Sequence, residues 1–230
     1  MMRQLPLGIG LRSDASFANF LAGDNAVLLT TLRAFAAAQG PAPAMFLHGA
    51  VGSGRSHLLH AVAAAADARG RQVALLPLQL AGLSPEVLAG FDNCDLVCID
   101  DLDAVCADRD WAEALFHLFN AVRDRGGQLL FVADRPPALL TCGLPDLQSR
   151  LASMLVVAVQ ELSDDNKLAL LIQRGDERGL RVPVEVAQYL MSRQSRAVAD
   201  LLQLLDKLDH ASLAEQRRLT VPFVRQVLGQ

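Results

Sequence analysis

The amino-acid sequence predicts an α/β fold, a five-stranded parallel sheet with helices, followed by a small all-helical domain. Short continuous apolar runs alternate with helical stretches up to about residue 160, and no strand-like run follows residue 162. A glycine-rich turn also joins the first apolar run to a helix. Strands buried on both faces appear as continuous apolar runs, and their alternation with helices is typical of a parallel sheet. Ligands of such sheets bind beyond the carboxyl ends of the strands.

The elements follow in order along the chain. A helix is expected from the glycine-rich turn to Ala66, and the helical domain begins after the capping residue Ser163. Pro183 opens a second helix there, since proline is tolerated in a first helical turn. The predicted strands are 44–48, 72–76, 96–99, 129–133 and 155–159, and the later helices include 167–174, 198–213 and one starting at 220–222. We expect three parts: 1–10, an N-terminal peptide; 11–160, the α/β domain; and 161–230, the helical domain.

The charge balance argues against a protein that wraps nucleic acid on its own surface. The 230 residues include 21 Lys and Arg against 25 Asp and Glu, a net charge of −4. Nucleic-acid-binding domains usually carry a basic excess. The arginines of the helical domain are interspersed with acids, which is typical of a solvated face. We therefore expect contact with DNA mainly through a partner.

No targeting or membrane segment is predicted. The segment 1–14 lacks a signal-peptide cleavage site, and the longest apolar runs, 61–66 and 154–159, are too short to span a bilayer. These features favour a cytoplasmic protein. The four cysteines form no CxxC pair and are interpreted as reduced, with a zinc site as the alternative: Cys94, Cys98, Cys106 and Cys142.

Residues 49–56 form a phosphate loop. They follow the first strand, open a helix and match the pattern GxxxxGK[ST], with Arg55 in place of the lysine. Backbone N–H groups of such a loop turn toward phosphate oxygens at a helix N-terminus. Arginine keeps the positive charge but is bulkier and planar, which favours nucleotide binding over fast hydrolysis. Together with an acid of the third strand, the predicted nucleotide ligands are Gly49, Gly52, Ser53, Gly54, Arg55, Ser56, His57 and Asp100.

Two acids end the third predicted strand. Asp100 and Asp101 stand where a carboxylate meets Mg²⁺ opposite the hydroxyl of Ser56. We expect Ser56 and Asp100 to hold the metal and Asp101 to orient an attacking water. His57 and His60 lie three residues apart on the helix after the loop, where packing roles are favoured over metal binding.

Five further motifs resemble the DnaA family, the initiator branch of the AAA+ ATPases. The resemblance covers nearly the whole chain, and its motifs are specific when taken together. It implies an ADP- or ATP-binding AAA+ core with Mg²⁺ and a helical lid, in a bacterial protein. The motifs are residues 17–20 with Gly23, 56–61, 116–121, 133–137 and 147–151.

The same resemblance assigns roles to single residues. Asp134 corresponds to the sensor 1 residue, and Arg150 to the arginine finger that completes the nucleotide site of a neighbouring subunit. The alternative for Arg150 is a structural ion pair at a helix start. At the sensor 2 position the family's arginine is replaced by Ala199, and Arg196 lies one turn earlier. Without the sensor 2 arginine and the loop lysine, the resemblance implies a protein that hydrolyses ATP weakly on its own.

The N-terminal peptide resembles the hexapeptide with which family members bind the DNA polymerase sliding clamp. An amide and spaced aliphatic side chains on an extended segment suit a groove; an unstructured tail is the alternative. No helix-turn-helix domain is expected after the lid. The clamp-binding residues are Gln4, Leu5, Leu7 and Ile9.

The resemblance as a whole implies a regulator. Docked on the clamp's beta subunit and bound to ADP, it would promote ATP hydrolysis by the DnaA initiator in trans and so repress re-initiation of DNA replication. Two other classes compete: an autonomous AAA+ ATPase such as a helicase-loader-like protein, and a direct DNA-binding module. Which nucleotide is preferred and whether the free chain forms homo-oligomers stay open.

Overall fold

A computed structural model describes residues 15–40, 42–193 and 198–229. The predicted N-terminal peptide, 1–10, and Arg196 lie outside the described residues. The chain divides into two compact units, of which the first runs to Ala50 and from Gly54 to Gln160. The second contains 161–230 together with Val51–Ser53, the tip of the phosphate loop. We call them the α/β unit and the helical unit.

The α/β unit contains a five-stranded sheet in which every neighbouring pair of strands is parallel, with the spatial order β2-β3-β4-β1-β5. The predicted fold class is confirmed, and each predicted strand end lies within one residue of the observed one. The strands are β1 (Ala44–His48), β2 (Val73–Pro77), β3 (Leu96–Asp100), β4 (Gln128–Ala133) and β5 (Leu155–Ala158).

Helices connect the strands and then form the helical unit alone. Asp108 caps α3 by accepting a hydrogen bond from the Trp111 backbone N–H at 3.0 Å, and Ser163 caps α5 through Asn166 at 3.2 Å. The helices are α1 (Ala26–Ala36), α2 (Arg55–Asp67), α3 (Arg109–Asp124), α4 (Pro145–Ala152), α5 (Asp164–Glu177), α6 (Val184–Arg193), α7 (Val198–Glu215) and α8 (Val221–Leu228).

Both faces of the central strands are covered. Phe46 and Phe131 point to the face that packs against α3, whose Trp111 belongs to the same cluster. Met45 and Leu130 point to the opposite face, where α1 and α2 supply a second cluster of aliphatic side chains. Alternate residues of one strand therefore fill two separate cores, which is why the middle parts of the central strands are continuously apolar.

The edge strand β5 departs from the expectation of strands covered on both faces. Leu155 is 40% exposed and Val156 37% exposed. β5 pairs with β1 and no other strand, so it lies at the edge of the sheet. Just after it, the buried Asn25 holds the backbone of Gln160 by two hydrogen bonds, one donated at 2.9 Å and one accepted at 2.8 Å. The chain leaves the sheet at a fixed point.

The helical unit has its own core, built from leucines and Phe223. Leu190, Leu205 and Phe223 have no measurable exposed surface, although they come from α6, α7 and α8. Their periodic spacing along each helix produces one apolar stripe per helix. None of the described helices combines the length and the apolar character that a membrane crossing requires.

Candidate functional site

The predicted site residues of the α/β unit follow three neighbouring strands. His48, the last residue of β1, pairs with Ala133 of β4, and Ile99 of β3 pairs with Phe131 of β4. Because the strands are parallel, their carboxyl ends lie side by side. The phosphate loop, the acid pair and Asp134 therefore lie at the same end of the sheet. The topology therefore brings together motifs that are far apart in sequence.

The phosphate loop uses its glycines for backbone conformations that side chains disfavour. Gly52 has φ +82° and Gly54 has φ +95°, and α2 begins immediately afterwards at Arg55. Within the described chain, the Ser53 Oγ and Arg55 Nη1 atoms are buried without a hydrogen-bond partner. Leaving buried donors unpaired costs free energy, so these groups fit a ligand that accepts hydrogen bonds. A phosphate anion at a helix N-terminus meets that need.

The N-terminal motif 17–20 packs on the phosphate loop. A Cβ added to Gly54 would approach the Phe20 Cε2 atom to 2.7 Å, and the Phe20 ring lies 5.7 Å from the His57 ring. His57 Nε2 is 3.0 Å from the Ser16 backbone oxygen. The predicted nucleotide ligand His57 therefore contacts both Ser16 and Phe20 of the N-terminal segment.

A local turn holds this motif in place. The Ser16 backbone N–H donates to Asn19 Oδ1 at 3.0 Å, and the Asn19 backbone N–H donates to Ser16 Oγ at 3.3 Å. Reciprocal bonds of this kind fix a short turn without regular secondary structure. The asparagine thus orients the turn, and the neighbouring Phe20 reaches the loop.

The acid pair after β3 combines burial with backbone strain. Asp100 is 4% exposed, and its Oδ1 accepts a hydrogen bond from the Asp101 backbone N–H at 3.0 Å. Asp101 adopts φ +53°, which is uncommon for a residue with a side chain. Partial burial, reinforced by the carboxylates of Asp100 and Asp103, raises the pKa of Asp101 to about 6, against the opposing influence of Arg55. Strain and a raised pKa in one residue are frequent at functional sites.

Asp134, the predicted sensor 1 residue, forms hydrogen bonds through both its backbone N–H and its carboxylate. Its backbone N–H donates to Asp103 Oδ1 at 3.0 Å. Arg135 donates two hydrogen bonds of 2.7 Å to its carboxylate, and this pairing lowers the pKa of Asp134. Asp103, which was not among the predicted site residues, ties the loop after β3 to the end of β4. Its only sequence signal is that it is a third acid after the pair.

His48 is a second group that sequence reasoning missed. It ends β1 directly before Gly49, and partial burial, followed by the nearby charge of Arg55, lowers its pKa. A neutral imidazole is the form favoured beside a guanidinium. The lowered pKa disfavours a positive charge on His48 beside the guanidinium of Arg55.

Arg150, the predicted arginine finger, lies on the exposed side of α4. Its guanidinium carbon is 5.9 Å from the centroid of the Phe116 ring and 5.9 Å from that of Phe119, both on α3. These distances are within the range of cation–π attraction. Among the described residues no carboxylate pairs with it, so the alternative of a structural ion pair finds no support there.

Some of the predicted functional residues lie outside the part of the chain that the structure describes. The clamp-binding residues Gln4, Leu5, Leu7 and Ile9 lie outside the described residues, as does Arg196. Among the described residues, no group of three or more His, Cys, Asp or Glu side chains is arranged to hold a metal ion. Cys98 is fully buried, which raises the pKa of its thiol well above the usual range.

Two family models match the chain in succession. The model of the bacterial DnaA ATPase domain matches residues 86–159, and the model of the Hda lid domain matches residues 164–228. The first model covers the chain from β3 to β5, which includes the acid pair, Asp134 and Arg150. The second covers all four helices of the helical unit.

Solved structures share the fold over most of the chain. Domain III of the replication initiation protein DnaA from Thermotoga maritima has a TM-score of 0.82 at 20% identity, covering 96% of this chain and 98% of that one. A replication initiator DnaA bound to AMPPCP and single-stranded DNA has a TM-score of 0.74 at 20% identity, covering 90% and 69%.

A more distant structure extends the comparison. The RuvB Holliday junction branch migration motor of Thermotoga maritima has a TM-score of 0.72 at 14% identity, covering 95% of this chain and 72% of that one. The two consecutive family models and the shared fold support a DnaA-like AAA+ protein with a helical lid that matches the Hda lid model.

Proposed function

We propose that this protein is a nucleotide-bound regulator that stimulates ATP hydrolysis by the DnaA initiator while docked on the DNA polymerase sliding clamp. The outcome is repression of re-initiation of DNA replication. The proposal rests on the lid and ATPase-domain matches and on one observation above the others: Arg150 stands exposed and without a carboxylate partner among the described residues.

The phosphate loop is the part of the chain that would hold the nucleotide. Its backbone N–H groups and the unpaired Ser53 and Arg55 groups suit phosphate oxygens. Ser56 and Asp100 offer the oxygen ligands that Mg²⁺ prefers. Bound Mg²⁺ would supply charge neutralisation at the phosphates. AMPPCP in the similar DnaA supports an adenine nucleotide, and we propose ADP as the resident form.

The exposed arginine would act on a partner's nucleotide. In phosphoryl transfer, charge develops on the oxygens of the transferred group, and a guanidinium placed there stabilises it. Aromatic rings contact Arg150, and among the described residues no carboxylate is paired with it, so no neighbouring negative charge offsets its positive charge there. Its place on the rigid helix α4 fixes the direction in which it is presented.

The chain's own hydrolysis would be slow. Arg55 replaces the loop lysine, and a planar fork on a longer side chain cannot take the position of a compact ammonium. Asp101, the predicted water-orienting residue, has a strained backbone and a raised pKa. Both features are common in functional carboxylates, so we keep Asp101 as a site residue. We propose that occupancy of the pocket, rather than turnover, is what the regulator needs.

Phosphate release tests the proposal directly. ATP-loaded DnaA is incubated with clamp loaded on DNA, with and without this protein, and phosphate is measured over time. We expect strong stimulation by the wild type and a loss of about 10³-fold or more with Arg150→Ala, the range reported for removal of an arginine finger. Arg150→Lys is expected to restore only a part of the stimulation.

Arg109→Ala is the matched control. Arg109 is an exposed arginine of the same unit and is paired with Glu113 at 2.9 Å. It should leave stimulation unchanged. Equal activity of Arg150→Ala and wild type would contradict the role of Arg150, whereas robust phosphate release by the protein alone would favour the autonomous ATPase.

Clamp docking is tested separately. Gln4→Ala combined with Leu5→Ala should abolish capture of the clamp in a pull-down while nucleotide binding persists. The amide and the aliphatic side chain are the anchors expected for an extended peptide in a groove. A complex that survives both changes would show that another surface holds the clamp.

A further inference from the structure

Two cysteines, Cys106 and Cys142, come together inside the α/β unit. Cys106 follows the acid pair after β3 and is 1% exposed, whereas Cys142 lies in the irregular segment before α4 and is half-buried. The Cys106 thiol donates a hydrogen bond to the backbone oxygen of Thr141 at 3.5 Å. A side-chain hydrogen bond also joins the two thiols. The fold thus makes neighbours of two sulfur atoms that are far apart in sequence.

The backbones of the two segments are in direct contact beside these thiols. The Gly143 backbone N–H donates to the Cys106 backbone oxygen at 2.8 Å. A Cβ added to Gly143 would lie 2.8 Å from the backbone oxygen of Ala107, so a side chain at this position would oppose the close approach. A disulfide needs Cα atoms about 4.4–6.8 Å apart. A backbone hydrogen bond at the adjacent residue holds the two segments at a separation of that order.

The two thiols differ in the protonation state that their surroundings favour. The hydrogen bond with Cys142, followed by burial, raises the pKa of the Cys106 thiol well above its usual range. The same hydrogen bond, donated by the Cys106 S–H, lowers the pKa of Cys142 against the opposing influence of partial burial. The thiolate is the nucleophilic form of cysteine. Cys142, which is also the more exposed of the two, is therefore the thiol that would react first.

Cys94 and Cys98 have surroundings that disfavour the thiolate. Partial burial, reinforced by Asp95 and Asp92, raises the pKa of Cys94. Full burial raises the pKa of Cys98. Cysteines of this kind are structural and act as small hydrophobic residues. The direction of the pKa shift therefore distinguishes Cys142 from the other cysteines of the chain.

We infer that Cys106 and Cys142 form a reversible disulfide when the protein meets a peroxide. This modification site goes beyond the proposed function and does not depend on it. Cys106 precedes α3 and Cys142 precedes α4, and Phe116 and Phe119 of α3 contact Arg150 of α4. The bridge would join the segments that lead into these two helices.

The chemistry balances with hydrogen peroxide as the oxidant. The Cys142 thiolate attacks one peroxide oxygen; an S–O bond forms, the O–O bond breaks, and the leaving hydroxide takes a proton and becomes water. The Cys106 sulfur, as it loses its proton, then attacks the sulfur of this sulfenic acid, and the S–O bond breaks as the S–S bond forms. The second hydroxide also leaves as water after taking up a proton. The thiol pair thus loses two electrons, and the peroxide is reduced to water.

Peptide mapping of the full chain tests the inference. The reduced protein is treated with hydrogen peroxide, free thiols are blocked with N-ethylmaleimide, and proteolytic fragments are analysed by mass spectrometry without reductant. We expect one linked pair of peptides, which contains Cys106 and Cys142 and disappears after treatment with dithiothreitol. Oxidised wild type without this linkage, or with Cys142 linked to a second chain, would overturn the inference.

Single substitutions separate the roles of the two thiols. Cys106→Ala keeps a small apolar side chain at the buried position, and its oxidation should stop at a sulfenic acid on Cys142 that dimedone labels. Cys142→Ser should lose both the linkage and the dimedone label. Cys94→Ser is the matched control, because Cys94 is also half-buried, and it should form the linkage as the wild type does. A dimedone label on Cys106 in Cys142→Ser, or loss of the linkage in Cys94→Ser, would contradict the assignment.

Discussion

Asp101→Asn should stabilise the α/β unit at neutral pH and not at acidic pH. The carboxyl is partly buried beside Asp100 and Asp103, and its pKa rises from 3.8 to about 6 on folding. A group whose pKa is raised on folding contributes stability that is complete below its unfolded pKa and is lost as the pH rises through its folded pKa. The window therefore runs from about pH 4 to about pH 6, and asparagine stays neutral throughout.

The magnitude follows from the size of this shift. About two pH units correspond to roughly 3 kcal/mol at 1.36 kcal/mol per unit. Asp101 is partly exposed, and solvent screening reduces this to on the order of 1 kcal/mol. That gain is about 2–4 °C in the unfolding midpoint for a chain of this length. Asparagine tolerates a positive φ as aspartate does, so the backbone strain is unchanged.

Urea unfolding at pH 7.5 and pH 4.0, followed by tryptophan fluorescence, measures the effect. The only tryptophan, Trp111, lies buried in α3 and reports on the α/β unit. Asp67→Asn, at an exposed carboxylate of α2, is the control and should change stability by less than about 0.5 kcal/mol at either pH. No gain at pH 7.5, or the same gain at both pH values, would refute the reasoning.

Two further predictions concern the stability of the α/β unit: the first tests a close packing contact and the second a pair of hydrogen bonds. Gly54→Ala combines a φ of +95° with a Cβ that would lie 2.7 Å from Phe20, so it should destabilise the α/β unit by about 2 kcal/mol or more. Gly82→Ala, with φ +79° and open space, should cost about 1 kcal/mol, and equal losses would show that Phe20 yields. Asn25→Ala removes both hydrogen bonds to Gln160 and should cost about 2 kcal/mol in the same urea assay. An unchanged midpoint would mean that water replaces them.

The strands could be predicted from the sequence because a strand that is buried on both faces has apolar residues at consecutive positions. The runs 96–99 and 129–133 are continuously apolar, and all of their residues are buried. The exposure of β5 was not predictable in this way. Its apolar run resembles the others, but the spatial order places it at an edge, and strand order is not a local property.

The sequence predicted which motifs form the candidate site, but it did not predict which of their side chains contact each other. The phosphate loop and the acid pair carry local signatures, because glycines and acids at strand ends have specific physical roles. The contact of Phe20 with Gly54, and that of Arg150 with Phe119, join segments far apart in sequence.

The way α4 presents its arginine has a consequence for selectivity. A guanidinium that is matched with a carboxylate forms a locally neutral pair, and an incoming anion must first separate that pair. Rings attract the same cation through their quadrupole and leave its unit charge uncancelled. The surface around Phe116 and Phe119 thus presents an uncompensated positive charge to an incoming phosphate, which has no paired carboxylate to displace among the residues that the structure describes.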